Sequence, residues 1–202
     1  REVERLVTLW LADEGPNEAE RAGRAAGEAQ GPSPDYQRRR QEKYAEVLDQ
    51  TRKALTPSEY DEFLKAREER KRPHSDSTEP IAALEKVVAA HPTLYLGWFN
   101  LALAYQAAEK VPEAATAYEK ARTLEDEQKL ADPSLYSTYG IFLYRRGDYA
   151  RASEMLKRAL QIEKAHPYAR RYLQLANAQV QEAQTGRKIL EAAGDQGSDA
   201  YR

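Results

Sequence analysis

Two stretches in the second half of the chain superimpose position for position at an offset of 38 residues. Trp98-x2-Leu101-Ala102-x2-Tyr105, followed by Ala114-x3-Tyr118-x2-Ala121, recurs as Tyr136-x2-Tyr139-Gly140-x2-Leu143, followed by Ala152-x3-Leu156-x2-Ala159. The three-to-four spacing of the large apolar residues is helical, and the break near residues 108–111 and at Gly147 splits each unit into two helices. Such a hairpin has an apolar face it cannot bury alone. Small residues at Ala102, Gly140, Ala114 and Ala152 let neighbouring helices approach closely, so copies stack and share one core. Trp98, Tyr118, Tyr149 and Leu156 are the expected anchors of that core. Ala occurs 33 times against ten Gly and ten Pro, a composition that favours helix over sheet. The predicted fold class is all-α.

The repeat has flanks. Ile81-x2-Leu84-x2-Val87-Val88-x3-Pro92 has the spacing of a second helix of such a unit, and Tyr172-x2-Leu175-Ala176 that of a first helix. Together these motifs resemble the tetratricopeptide repeat family, whose 34-residue helix–turn–helix unit carries W-x2-L-G-x2-Y…A-x3-F…P. The resemblance covers residues 79–185. Ala102 stands where the family has Gly, the terminal Pro is missing from both full repeats, and the connections are lengthened near Glu125 to Asp132 and Gln161 to His166. It implies a right-handed solenoid of helical hairpins, and a non-catalytic scaffold or adaptor that binds a peptide or helix of a partner protein.

Residues 1–78 lie outside the resemblance and read as an N-terminal helical region. Val3, Leu6, Val7, Leu9 and Trp10 predict a short amphipathic helix over Arg1 to Asp13. Residues 14–34 are rich in Ala, Gly, Glu and Pro and read as a linker. Tyr36, Tyr44, Val47, Leu48 and Leu55 form a thin apolar stripe on the next helix. Thr56-Pro57-Ser58-Glu59 then predicts a capped helix start, with Pro73 as its terminator. Residues 186–202 read as a frayed helix end and a polar tail. Because the first residue is Arg1 rather than Met, the sequence reads as a fragment or a processed product.

The charge balance, 31 Lys/Arg against 33 Asp/Glu, suggests neither a nucleic-acid partner nor an acidic membrane surface. The basic runs Arg38-Arg39-Arg40 and Arg70-Lys71-Arg72 sit among eleven basic and nine acidic residues between Pro34 and His74, which reads as mixed-charge helix faces. No apolar run reaches the roughly 18 residues a membrane span needs. The absence of Cys removes disulfides, thiolate metal sites and cysteine nucleophiles, and leaves cytoplasm and periplasm equally compatible. His91-Pro92 and His166-Pro167 have no further ligands at metal spacing and are expected to end helices, where a partial positive charge suits the dipole. No nucleophile elbow, phosphate loop or zinc-helix motif occurs, so no enzyme, metal or cofactor is expected.

The family resemblance implies a concave groove lined by the first helix of each repeat. Carried over by position, its lining is Leu96, Phe99, Asn100, Leu103 and Gln106, then Ser137, Ile141, Tyr144 and Arg145, then Arg170 and Asn177. Phe99, Leu103, Ile141 and Tyr144 are the expected apolar floor, and Asn100, Arg145 and Arg170 its polar ends. The alternative is homo-oligomerisation or an assembly role, with the N-terminal helix packed into the groove through Leu6, Leu9 and Trp10.

Overall fold

Tyr95–Ala107 is apolar almost all the way round, so it must sit inside other helices. In the computed structural model, which describes residues 34–70 and 78–199, nine of its thirteen residues are buried. Eight helices and no strand occur among the described residues: α1 (Pro34–Ala54), α2 (Pro57–Arg70), α3 (Thr78–Ala90), α4 (Tyr95–Ala107), α5 (Val111–Gln128), α6 (Pro133–Arg145), α7 (Tyr149–Ile162) and α8 (Pro167–Asp199). The expected helix at residues 1–13 and the expected linker at 14–34 lie outside the described residues, apart from Pro34, which opens α1. The chain divides into two units, one reaching to Leu135 and one starting at Tyr136. That division falls inside α6, whereas the sequence suggested boundaries at 78/79 and 185/186.

In the first unit α4 packs on α5, α3 and α2, and α1 lies against α2 and α4. The α4–α5 hairpin closes through small residues: Ala102, Ala114 and Ala121 are fully buried, as is Tyr118, whose hydroxyl donates to Gln106 Oε1 at 2.7 Å. Tyr95, Phe99 and Tyr118 form a run of ring contacts at 6.1 and 6.3 Å. Trp98, expected in the core, is only half-buried. Its indole Nε1 donates to the Pro92 carbonyl at 2.9 Å, which holds the ring over the α3–α4 connection. The lengthened connection after α5 is braced from within. Tyr95 Oη donates to Asp132 Oδ2 (2.8 Å), Asp132 Oδ1 accepts from Ser134 N at the start of α6 (2.9 Å), and Glu125 Oε1 accepts from Asp132 N (3.1 Å). Two residues of that connection, Lys129 and Ala131, take a left-handed φ of 53°.

The helix α3, read from sequence as half a repeat, has its partner in α2. His91 Nε2 meets Glu59 Oε1 at 3.0 Å and Lys86 Nζ meets Glu62 Oε2 at 3.2 Å, so the two helices run antiparallel. The capping box at the start of α2 forms as expected: Thr56 N and Oγ1 donate to Glu59 Oε2 (2.9 and 2.7 Å), and Glu59 N donates back to Thr56 Oγ1 (3.4 Å). On α1, the Tyr36, Tyr44, Val47 and Leu48 stripe is buried. Two arginines from this part of the chain also turn inward, against the expectation of solvated faces: Arg40 is 5% exposed and Arg67 1%. The Arg67 guanidinium stands 4.9 Å from the Tyr44 ring centre, where the aromatic face offsets part of its desolvation. Other charges of α1 pair along the helix, Arg38 with Asp35, Lys43 with Glu46, and Arg52 and Lys53 with Asp49.

In the second unit Gly140 of α6 meets α7 so closely that a Cβ there would stand 2.7 Å from Leu156 Cγ and 3.3 Å from the Ala152 carbonyl oxygen. Gly147, at φ 81°, makes the turn, and Asp148 caps α7 by accepting from Arg151 N at 3.3 Å. Leu156 is fully buried, whereas Tyr149 is half-buried with its ring against Tyr144. His166 departs from expectation. It is fully buried and caps the start of α8, its Nδ1 accepting from Ala169 N at 3.3 Å, instead of ending α7. The last helix is also longer than expected, continuing to Asp199 through the stretch read as a tail, because Arg187 to Ala193 are mostly good helix formers.

Candidate functional site

The eleven residues expected to line a groove fall in both units, five on α4 and six on α6 and α8. On α4 the expectation of an accessible floor is corrected. Leu96, Phe99, Asn100 and Leu103 are 1%, 2%, 2% and 7% exposed, so their side chains belong to the core. The reason is that α4 is enclosed by its neighbours: α5 and α3 pack on it most extensively, and α2 and α1 add to the cover. Asn100 spends its amide on its own helix, Nδ2 donating to the Leu96 carbonyl at 2.8 Å, while its Oδ1 is buried without a partner. Gln106 is held by Tyr118.

Where α1 and α4 diverge, the first unit keeps a cavity of about 350 Å³. Val47 and Thr51 of α1, Leu94 and Leu96 at the start of α4, and Gln128 and Leu130 after α5 contribute to its wall. His91 reaches its rim beside Glu59, whose carboxyl is drawn down to about 2 by the hydrogen bonds from His91 and Thr56. Across α4, burial and the 2.6 Å hydrogen bond to Glu85 push the Tyr105 phenol up to about 12.

In the second unit Ser137 is fully buried, Ile141 and Tyr144 are half-buried, and Arg145 is exposed. Tyr144 meets Tyr172 of α8 edge-on at 5.3 Å, which ties α6 to α8. Two expected members are turned elsewhere. Arg170 donates to the Lys164 carbonyl at 2.7 Å and staples the α7–α8 connection, and Asn177 Oδ1 accepts from Ser153 Oγ of α7 at 2.7 Å. Leu175, read from sequence as a core position, is instead 40% exposed. Thus Ile141, Tyr144 and Arg145 remain accessible from the expected set, and Leu175 and Arg171 join them, with the buried Tyr172 behind. Sequence held one signal for these: Tyr172-x2-Leu175-Ala176 has the spacing of a first helix, which sets Leu175 one turn from Arg171.

Residues 134–167 match the tetratricopeptide repeat family model, a span that encloses the α6–α7 hairpin and its Gly140–Leu156 closure. The chain carries a tetratricopeptide repeat. Its helical architecture fits the helical-repeat array of that family, whose members are in general protein–protein interaction modules rather than catalysts. No curated protein matches the chain. Among the described residues, no group of three or more His, Asp or Glu is placed to hold a metal ion around the tetratricopeptide-repeat hairpin or elsewhere, and no helix is long and apolar enough to cross a membrane.

Proposed function

We propose that this chain is a non-catalytic adaptor whose partner-binding surface lies on the second unit, on the accessible side of α6 and α8. A segment of a partner protein, extended or helical, seats on Ile141, Tyr144 and Leu175, with Arg145 at the edge. One observation carries this reading: where Leu103, the α4 counterpart of Ile141, is sealed into the core, Ile141 keeps part of its surface open, beside the half-buried Tyr144 and a Leu175 that keeps 40%. Apolar side chains grouped beside a cation are the composition of an interface core and rim. The buried Tyr172 ring behind Tyr144 fixes that floor in one conformation, which lowers the ordering cost of binding.

The test is a photo-crosslinking amino acid at position 145, compared with one at the exposed Lys120 of α5. A partner captured from position 145 alone, and lost on Ile141→Lys with the melting temperature unchanged, supports the site. Capture that survives Ile141→Lys together with Leu175→Lys places the partner elsewhere and overturns the reading.

A further inference from the structure

The two units carry opposite charge. Residues up to 135 hold twenty Lys/Arg and twenty-six Asp/Glu, while residues 136–202 hold eleven and seven. The near-zero total of the chain therefore hides a basic second unit. Its described acidic side chains are Asp148, Glu154, Glu163 and Glu182. Asp148 is spent on capping α7 and on Arg151, Glu163 on the Ala165 amide, and Glu182 on Gln179 two turns beyond Leu175, while Glu154 stands exposed on α7. Arg145 and Arg171 are exposed, and among the described residues neither has a carboxylate within ion-pairing distance.

Helix geometry puts these two cations on one face. Around α6, turning from Gly140, which faces α7, past Tyr144, which faces α8, brings Ile141 and then Arg145. Around α8, turning from Asn177, which faces α7, past Tyr172, which faces α6, brings Leu175 and then Arg171. The two turns end on the same open side. Ile141 and Leu175 thus share that open side, either side of the Tyr144–Tyr172 contact, with Arg145 and Arg171 flanking them.

We infer that this face takes an acidic protein segment, an apolar residue flanked by carboxylates, with Arg145 and Arg171 each donating a bidentate pair of hydrogen bonds to a carboxylate. The inference rests on the reading of this face as the partner site and adds the chemistry of the partner. A protein fits better than a nucleic acid, because beside the aliphatic Ile141 and Leu175 the open surface carries a single, partly covered ring, Tyr144, where single-strand binders stack successive bases on several.

The experiment titrates the full isotope-labelled chain with a Glu-rich peptide bearing one central Leu, with the same peptide carrying Gln for Glu, and with oligo-dT. The acidic peptide should shift the amides of residues 141–145 and 171–175. It should bind roughly tenfold more tightly than the Gln peptide, with an advantage that shrinks as salt is raised. Arg145→Gln with Arg171→Gln should abolish that advantage and leave the spectrum elsewhere unchanged. Equal binding of the two peptides at this face overturns the charge inference and leaves the partner site standing. If neither peptide shifts these amides, both fall. Tighter binding of oligo-dT at the same residues overturns the choice of a protein partner.

Discussion

Gly140→Ala adds a single methyl group, and its effect follows from two opposed magnitudes. In a helix interior Ala is favoured over Gly by about 1 kcal/mol, so on an open face the change would stabilise. Here the new Cβ stands 2.7 Å from Leu156 Cγ and 3.0 Å from Leu156 Cδ2, with the Ala152 carbonyl oxygen at 3.3 Å behind. Leu156 is fully buried and cannot swing into solvent, so the hairpin must open. Overpacking of this kind costs about 1–3 kcal/mol, and the expected net loss is about 1 kcal/mol, a fall in melting temperature of about 3 °C for a chain of this size. The decisive arm is a double-mutant cycle. Leu156→Ala alone should cost about 2–5 kcal/mol. In that background the obstacle is gone and Gly140→Ala should stabilise by up to about 1 kcal/mol, giving a coupling of about 2 kcal/mol. Urea denaturation followed by circular dichroism measures each corner. A Gly140→Ala protein more stable than the parent, or a coupling below about 0.5 kcal/mol, refutes the close approach of α6 and α7.

Because hydrogen bonds from His91 and Thr56 hold the Glu59 carboxyl down at about 2 from an ordinary 4.5, its contribution is complete above pH 4.5 and is lost as pH falls towards 2; Glu59→Gln should flatten that part of the stability–pH curve, and a parallel curve counts against it. Tyr118→Ala, at a fully buried ring, should cost about 3–5 kcal/mol, whereas Trp98→Ala, at a half-buried one, should cost about half as much in the same denaturation assay; equal losses would place Trp98 in the core. Ala131→Gly should stabilise by about 0.5–1 kcal/mol, since a left-handed φ of 53° strains Ala and not Gly, and a drop in melting temperature would contradict that backbone.

The hairpins were legible because their spacing is dictated locally. Small residues at Ala102 and Gly140 can only be notches when aromatic residues recur around them at helical intervals, and both notches are occupied as that pattern requires. What α1 covers was not legible. The stripe from Tyr36 to Leu55 shows that one face is buried, but nothing in it says that α1 joins α2, α3 and α5 around α4, so Phe99 and Leu103 read as surface. The role of α2 was hidden for a different reason. Tyr60-x2-Phe63 repeats the spacing of Trp98-x2-Leu101, but Leu64 and Arg67 stand where a small residue and an aromatic are expected, and a buried cation breaks the pattern. His166 was misassigned because a ring that caps the following helix has the same sequence context as one that ends the preceding helix.

The helix α8 runs for 33 residues, about 50 Å at 1.5 Å per residue. Its side chains beyond Val180 pass from packing to solvent: Gln181, Glu182, Gln184, Thr185 and Arg187 are all exposed. In the language of chain growth, this stretch is a poor template. A further hairpin laid on that stretch would bury amides and charges without partners, a penalty that cancels the nearest-neighbour gain by which repeat arrays extend. An engineer wishing to lengthen the array at this end must first rewrite that surface with apolar and small residues. Left as it is, the Gln181 to Arg187 surface of α8 disfavours a hairpin packed against it.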